Sequence, residues 1–517
     1  MVYQINRQKP EFLLSGRLVV KNILLNVIGK AAPIVVGVAI IPFTIRGLGV
    51  EQFGILALAW VVLGYFSLFD FGFGQAMTKF VAQALSERNT TSMPQLVWTA
   101  LAWSIGIGIL GTVAVAAFAP LLATQVFSIS EDLIPTAKNA FVIIAFAVPI
   151  AAGTSVVRGI LEGAQRYDLV NAIKIPFNSL IFLIPALSLA LGFELPHIIL
   201  LLVITQLGAF CGYFFACLRV FPFLKTKTSL SLSLASRTLL ALLRFGGWIA
   251  IANTALFVLV QMNGFFIGAI LSVKEVGFYA APFEIITRLL IVPESLIVFL
   301  PVFSTLGNQR QKAALFYSRA MKHVLFGMGA AVLLFIFFSG NILHLWLGGE
   351  FEAKSTGVLQ LLSLGILALS VSVMTNSLIN GFGHPDILAK FRVLQLPVYA
   401  LALWFFIGNA GIVGAAAAWM LRAVIDAVVV FFVASRVLAV SPREVLRLGI
   451  GRSLGALCLS GIVMAAAMFF LEGPLAFVFP IGLLVVFAFL WRYYILDEVD
   501  IVFFRSLFQT IKYRFSP

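Results

Sequence analysis

Apolar runs long enough to cross a bilayer follow one another along almost the whole chain, separated by short polar connectors. A spanning helix needs about 20 mostly apolar residues. Runs at 22–46, 53–83, 94–122, 136–159, 167–191, 196–220, 238–266, 275–305, 316–340, 355–381, 387–407, 411–437, 446–471 and 474–493 predict about 14 transmembrane helices. Several exceed what a bilayer requires, which predicts tilt or ends that pass the headgroups. Pro42, Pro149, Pro176, Pro185, Pro293 and Pro397 lie inside runs. Each predicts a kink whose freed carbonyl is satisfied by a neighbouring helix.

Composition agrees. The 517 residues are 61% hydrophobic and 11% charged, against roughly 25% charged in a soluble domain. So few charges cannot cover the apolar surface of a soluble fold, and the chain is read as an integral membrane protein. The net charge of +14 does not point to nucleic acid, because the charges cluster in connectors, the pattern of membrane orientation. With the N-terminus placed in the cytoplasm, only Arg46, Lys138, Lys274 and Lys354 of the 35 Lys and Arg fall outside. Lys30, Arg288 and Arg422 fall inside spans. Both termini are therefore expected in the cytoplasm. The first residues read polar and basic and run into an apolar stretch without an A-x-A site, so no cleaved signal peptide is expected. Cys211, Cys217 and Cys458 lie inside apolar runs with no disulfide or metal spacing and read as small buried hydrophobes.

Two connectors echo each other. "LGVEQFGILA" (48–57) and "LSVKEVGFYA" (271–280) share Leu48/Leu271, Val50/Val273, Gly54/Gly277 and Ala57/Ala280 at constant offset. "GAQRYDL" (163–169) and "GFGHPDI" (381–387) share Gly163/Gly381 and Asp168/Asp386, and Lys174 is mirrored by Arg392. Together they suggest two homologous six-helix lobes running in the same direction, parallel repeats about an axis along the membrane normal. The expected fold class is all-α integral membrane, two six-helix lobes around a central cavity plus two appended helices. The expected divisions are 1–221 for the first lobe, 222–237 for a basic cytoplasmic linker and 238–440 for the second lobe. Residues 441–495 are the appended spans, and 496–517 an interfacial cytoplasmic tail. Two lobes that open a cavity to each side in turn make a transporter. No phosphate-loop motif is present, so the driving force is a gradient or the substrate's own free-energy drop.

The stretch "IRGLGVEQFGILALA" with "FSLFDFGFGQAMTKFVAQ" (66–83) and "GAQRY" resembles the bacterial polysaccharide-unit flippases of the multidrug/oligosaccharidyl-lipid/polysaccharide exporter superfamily. The resemblance covers most of 15–440 and is less clear over 441–517. It implies a V-shaped two-lobe fold in the bacterial inner membrane. It also implies flipping of an undecaprenyl-pyrophosphate-linked oligosaccharide from the cytoplasmic to the periplasmic leaflet, for surface polysaccharide such as lipopolysaccharide or exopolysaccharide. A polysaccharide polymerase and glycosyltransferases are the partners this suggests. "TRLLIVPESL" (287–296) is similar to a segment of the peptidoglycan-precursor flippase that places an arginine in the cavity, which here is Arg288.

Charges inside spans are costly and face a cavity or a partner. Lys30 has no acid one turn away. It is read as a cavity cation for pyrophosphate, or as a lysine snorkelling to the interface. Arg288 is the second cavity cation, its fork suited to two phosphate oxygens, or a partner neutralised by Glu284, four residues before it. Asp70, Glu284, Glu294, Arg422 and Asp426 are candidates for a coupling or supporting role. Arg422 and Asp426 are spaced as a self-neutralising pair. Gln75, Asn178, Gln206, Gln261 and Asn263 are candidate sugar contacts, or else residues that join helices. No catalytic residue, metal site or cofactor is expected; H+ or Na+ coupling is left open. In the expected mechanism Lys30 and Arg288 hold the headgroup in a wet cavity while the tail stays in lipid, beside the first and eighth spans. The alternative is an ion-coupled multidrug or small-solute antiporter on the same fold. A membrane glycosyltransferase or polymerase is disfavoured by the lack of a DxD motif or a large external loop.

Overall fold

A computed structural model describes residues 36–65, 73–87, 93–225, 254–255, 258–295, 310–382, 384–470 and parts of 482–495. Among them every long element is a helix and no strand occurs. Eight helices are long and apolar enough to cross a membrane, or nine if the pair Pro442–Leu448 and Gly451–Met464, bent by 68°, is one span. Val36–Leu48, Val50–Trp60 and Val258–Ile270 are shorter apolar helices. Large apolar side chains cover the outside: Leu110, Phe215 and Trp404 are 70%, 66% and 66% exposed. Such a surface is sustained by lipid, not water. The protein is an all-helical, multi-pass membrane protein. The expected linker at 226–237 and the tail at 496–517 lie outside the described residues.

The predicted boundary between the runs at 387–407 and 411–437 falls inside one continuous assignment, Pro385–Leu438. Ala410 and Gly411 have non-helical backbone there, with Gly411 at φ 57°. That left-handed value favours glycine, so the chain turns at Gly411 and the two spans are separate. Pro149 shows how a kink is tolerated. It cannot donate to the Ala145 carbonyl one turn earlier. The helix breaks after Ala145, and Thr112 Oγ1 of the neighbouring helix donates to that carbonyl at 2.9 Å.

The described helices form two groups, 36–220 and 258–438; those between 93 and 220 pack mainly on one another, as do those between 310 and 438. Val50–Tyr65 and Val273–Thr287 form the main contact between the two groups among the described residues. These two helices carry the echoing connectors, and the contact is reciprocal. A Cβ on Gly54 would stand 2.0 Å from the Val273 carbonyl oxygen, and one on Gly277 would stand 2.5 Å from that of Val50. Each glycine of the repeat thus clears the backbone of the other copy's valine. That is the signature of a two-fold related contact. Ser128 adds two backbone hydrogen bonds across the groups, from its N–H to Gly268 and to its carbonyl from the Val273 N–H. The nearby pairs Lys274–Glu350 and Lys354–Glu275 are about half-exposed on their lysines and contribute about 0–1 kcal/mol each. Close backbone approach and a shared apolar core hold this end together.

The hydrophobic core reports the shape. At the connector end one cluster runs through both groups, joining Ile41, Phe53 and Ile198 to Leu259, Phe278 and Trp419. Towards the far end it gives way to two separate clusters. Phe73, Val156 and Tyr213 belong to one, Tyr317, Leu378 and Trp491 to the other. Among the described residues, the groups converge where the connectors meet and share no core cluster at the opposite end.

Candidate functional site

Arg288 lies where the two groups begin to part. Its helix, Val273–Thr287, tightens into a 3-10 turn at Arg288–Leu290 before the short helix Ile291–Ser295. Two features of the sequence cause the break. Pro293 cannot donate to the Leu289 carbonyl, and Thr287 Oγ1 donates back to the Phe283 carbonyl at 2.7 Å, a bond that bends helices. Arg288 Nη2 donates to Glu284 Oε2, and its guanidinium packs 5.4 Å from the ring centre of Phe182, in the other group. Gly37, Val38, Ile41, Phe182, Glu284, Arg288 and Trp346 line a crevice of about 10 Å³ between the groups, about the room one water needs. The arginine side chain is 36% exposed and the glutamate 25%. The pair is thus partly solvated at an inter-group boundary.

Trp346, which carried no signal in the sequence, closes this crevice: its indole N–H donates to the Val38 carbonyl of the other group at 2.6 Å. Trp346→Phe keeps a ring but removes the donor. We expect it to weaken the closed connector end by about 1 kcal/mol, about a fivefold change in population. Amide exchange over 36–48 should rise accordingly.

A second concentration of polar groups is buried in the 258–438 group. Asn263 Oδ1 accepts from the Tyr399 hydroxyl. Gln395 Nε2 donates to Asp426 Oδ1 at 3.2 Å. Arg422 stacks on the rings of Tyr399 and Trp419, at 5.3 and 5.9 Å. Among the described residues no ion pair joins Arg422 to Asp426, although their spacing allows one, because Asp426 is taken by Gln395. Arg392 lies close enough to feel the charges of both. The sequence did hold a trace of this cluster. Arg392, Gln395 and Tyr399 fall on one helical face, as do Trp419, Arg422 and Asp426.

The remaining candidates are scattered. Asn178, one turn from Phe182, Gln206 and Gln261 are half-buried on separate helices. Gln75 and Glu294 lie on described helices, but their side chains fall outside the described set, and Lys30 and Asp70 fall outside it altogether. Cys217 is buried, Cys211 partly so and Cys458 exposed, all as free thiols.

Comparison with known proteins places the fold. A "Putative O-antigen transporter" of Shigella flexneri is 25% identical over 433 residues, 82% of this chain and 99% of that one. The lipid II flippase MurJ in an inward closed conformation superposes with a TM-score of 0.68 at 14% identity, covering 95% of this chain and 100% of that one. An inward-facing multidrug resistance MATE family transporter of the MOP superfamily gives 0.67 at 14% identity, covering 80% and 94%. The architecture is therefore that of MOP-superfamily transporters. Residues 19–306, more than half of the chain, match the family described as "Polysaccharide biosynthesis protein", and the chain belongs to that family.

Proposed function

We propose that the protein is a transporter, not an enzyme, which flips a lipid-linked oligosaccharide unit from the cytoplasmic to the periplasmic leaflet of the bacterial inner membrane. One observation carries this reading: among the described residues the core is single at the connector end and divided at the other, with Arg288 in a crevice between the groups. Such a molecule presents a cleft to one side of the membrane. The far end bears Arg310, Lys312, Arg436, Arg443 and Arg447, and by the positive-inside bias it faces the cytoplasm, where lipid-linked sugars are assembled. Undecaprenyl pyrophosphate is the carrier the reading requires. A bare pyrophosphate in hydrocarbon would cost tens of kcal/mol by Born desolvation, so the headgroup needs a wet, cationic path. Arg288 provides a fork for it and Lys30 is proposed as its counterpart. The polyprenyl tail remains in the bilayer. An apolar groove of about 570 Å³ among the 310–337, 349–381, 420–432 and 442–454 segments is one surface it can follow. Opening of the connector contact as the cleft closes then exposes the headgroup outward, with H+ or Na+ coupling as part of the proposal.

Deletion of the gene separates this reading from the antiporter reading. We expect loss of long-chain surface polysaccharide with unchanged susceptibility to cationic drugs. Intact polysaccharide together with drug hypersensitivity would favour antiport.

A further inference from the structure

We infer that the buried cluster around Arg422 is an internal binding site for a small inorganic anion of chloride size. Arg422 is 6% exposed, and its Nε and Nη2 atoms, both shielded from solvent, have no hydrogen-bond partner among the described residues. The Trp419 indole N–H of the same cluster is equally unpartnered. Buried donors are almost always satisfied, and here three are not: two on the guanidinium itself and one on the indole it packs against. The single acceptor left over is Gln395 Oε1. Donors outnumber acceptors, so the missing partner is acceptor-rich.

Charge gives the same sign. Arg392, half-buried, feels the charges of both Arg422 and Asp426, and Gln395 already engages the carboxylate. Two cations therefore stand near one carboxylate, and a buried guanidinium without a paired anion is costly. A guanidinium at the centre repels Na+, so the cluster is built against a cation. Its enclosed donor atoms suit a compact ion rather than a pyrophosphate. The site also touches the transport path. Trp419 packs edge-on against Phe283 at 5.7 Å, and Phe283 immediately precedes Glu284, the partner of Arg288. An ion on Arg422 therefore buttresses the helix that carries Arg288.

The test is thermal unfolding of the purified full-length protein in lipid nanodiscs, with potassium chloride replacing potassium gluconate at constant ionic strength. Ligand that binds only the folded state raises the midpoint saturably. We expect such a rise with chloride, the same in sodium as in potassium salts. Arg422→Gln should abolish it. Trp419→Phe, which removes one donor and keeps an aromatic ring, should weaken the apparent affinity about tenfold. Equal midpoints in chloride and gluconate, with the same cation in both, would overturn the site. A full chloride response in Arg422→Gln would place the anion elsewhere. If that variant does not fold, an unchanged affinity in Trp419→Phe overturns the proposal on its own.

Discussion

Arg288→Ala is expected to lower transport about ten- to a hundredfold, the range that one charge-assisted hydrogen bond of about 1.5–3 kcal/mol supplies. The matched variant is Glu284→Gln. If Arg288 served only to neutralise Glu284, breaking the pair from either side would be equally harmful. If Arg288 serves a phosphate, Glu284→Gln frees the guanidinium and transport survives. Arg288→Lys should retain part of the activity, because a lysine restores the charge without the two-pronged geometry. Export of surface polysaccharide by each variant, at equal protein level in a deletion strain, reads all three. Equal losses in Arg288→Ala and Glu284→Gln would reduce the pair to a structural one.

The second large effect is at Gly54. A side chain there meets the Val273 carbonyl oxygen at 2.0 Å, and a backbone atom cannot swing away as a side-chain tip can. Gly54→Leu should therefore disfavour the closed connector end by about 1–3 kcal/mol, the usual cost of overpacking, which corresponds to about a 5- to 150-fold shift between states. Gly106 is the control, since a Cβ there meets nothing within 4 Å. Hydrogen–deuterium exchange over 48–57 and 271–280 should accelerate in Gly54→Leu and stay unchanged in Gly106→Ala. Because the contact is reciprocal, Gly277→Leu should act in the same direction. Unaltered exchange in both Gly54→Leu and Gly277→Leu would mean that the close approach does not govern opening.

What was legible in the sequence was whatever a local rule controls. Long apolar runs became long helices, and the break expected between 407 and 411 is the turn at Gly411, whose positive φ only the structure shows. The repeat was legible as an echo, but its meaning was not. Nothing in "LGVEQFGILA" says that Gly54 faces the other copy; that is a tertiary fact created by folding both halves. Arg288 was placed by its charge within an apolar run, and its pairing with Glu284 follows from i,i+4 geometry. The same rule failed to join Arg422 to Asp426. A residue distant in sequence, Gln395, captured the carboxylate, and two aromatic faces, Tyr399 and Trp419, accommodate the guanidinium. Trp346 had no signal at all, since an indole in a connector names no partner until its donor finds a carbonyl in the other group. Helical periodicity thus told which residues share a face, and packing between helices decided which of them met.

Reconstitution addresses the central claim most directly. Purified protein in liposomes is supplied with a fluorescent polyprenyl-pyrophosphate-linked oligosaccharide in the outer leaflet, and the fraction protected from a membrane-impermeant quencher is followed over time. The account predicts protection that grows well above the rate in protein-free vesicles and falls in Arg288→Ala. Protection no faster than in protein-free vesicles, with the protein folded and inserted, would contradict it.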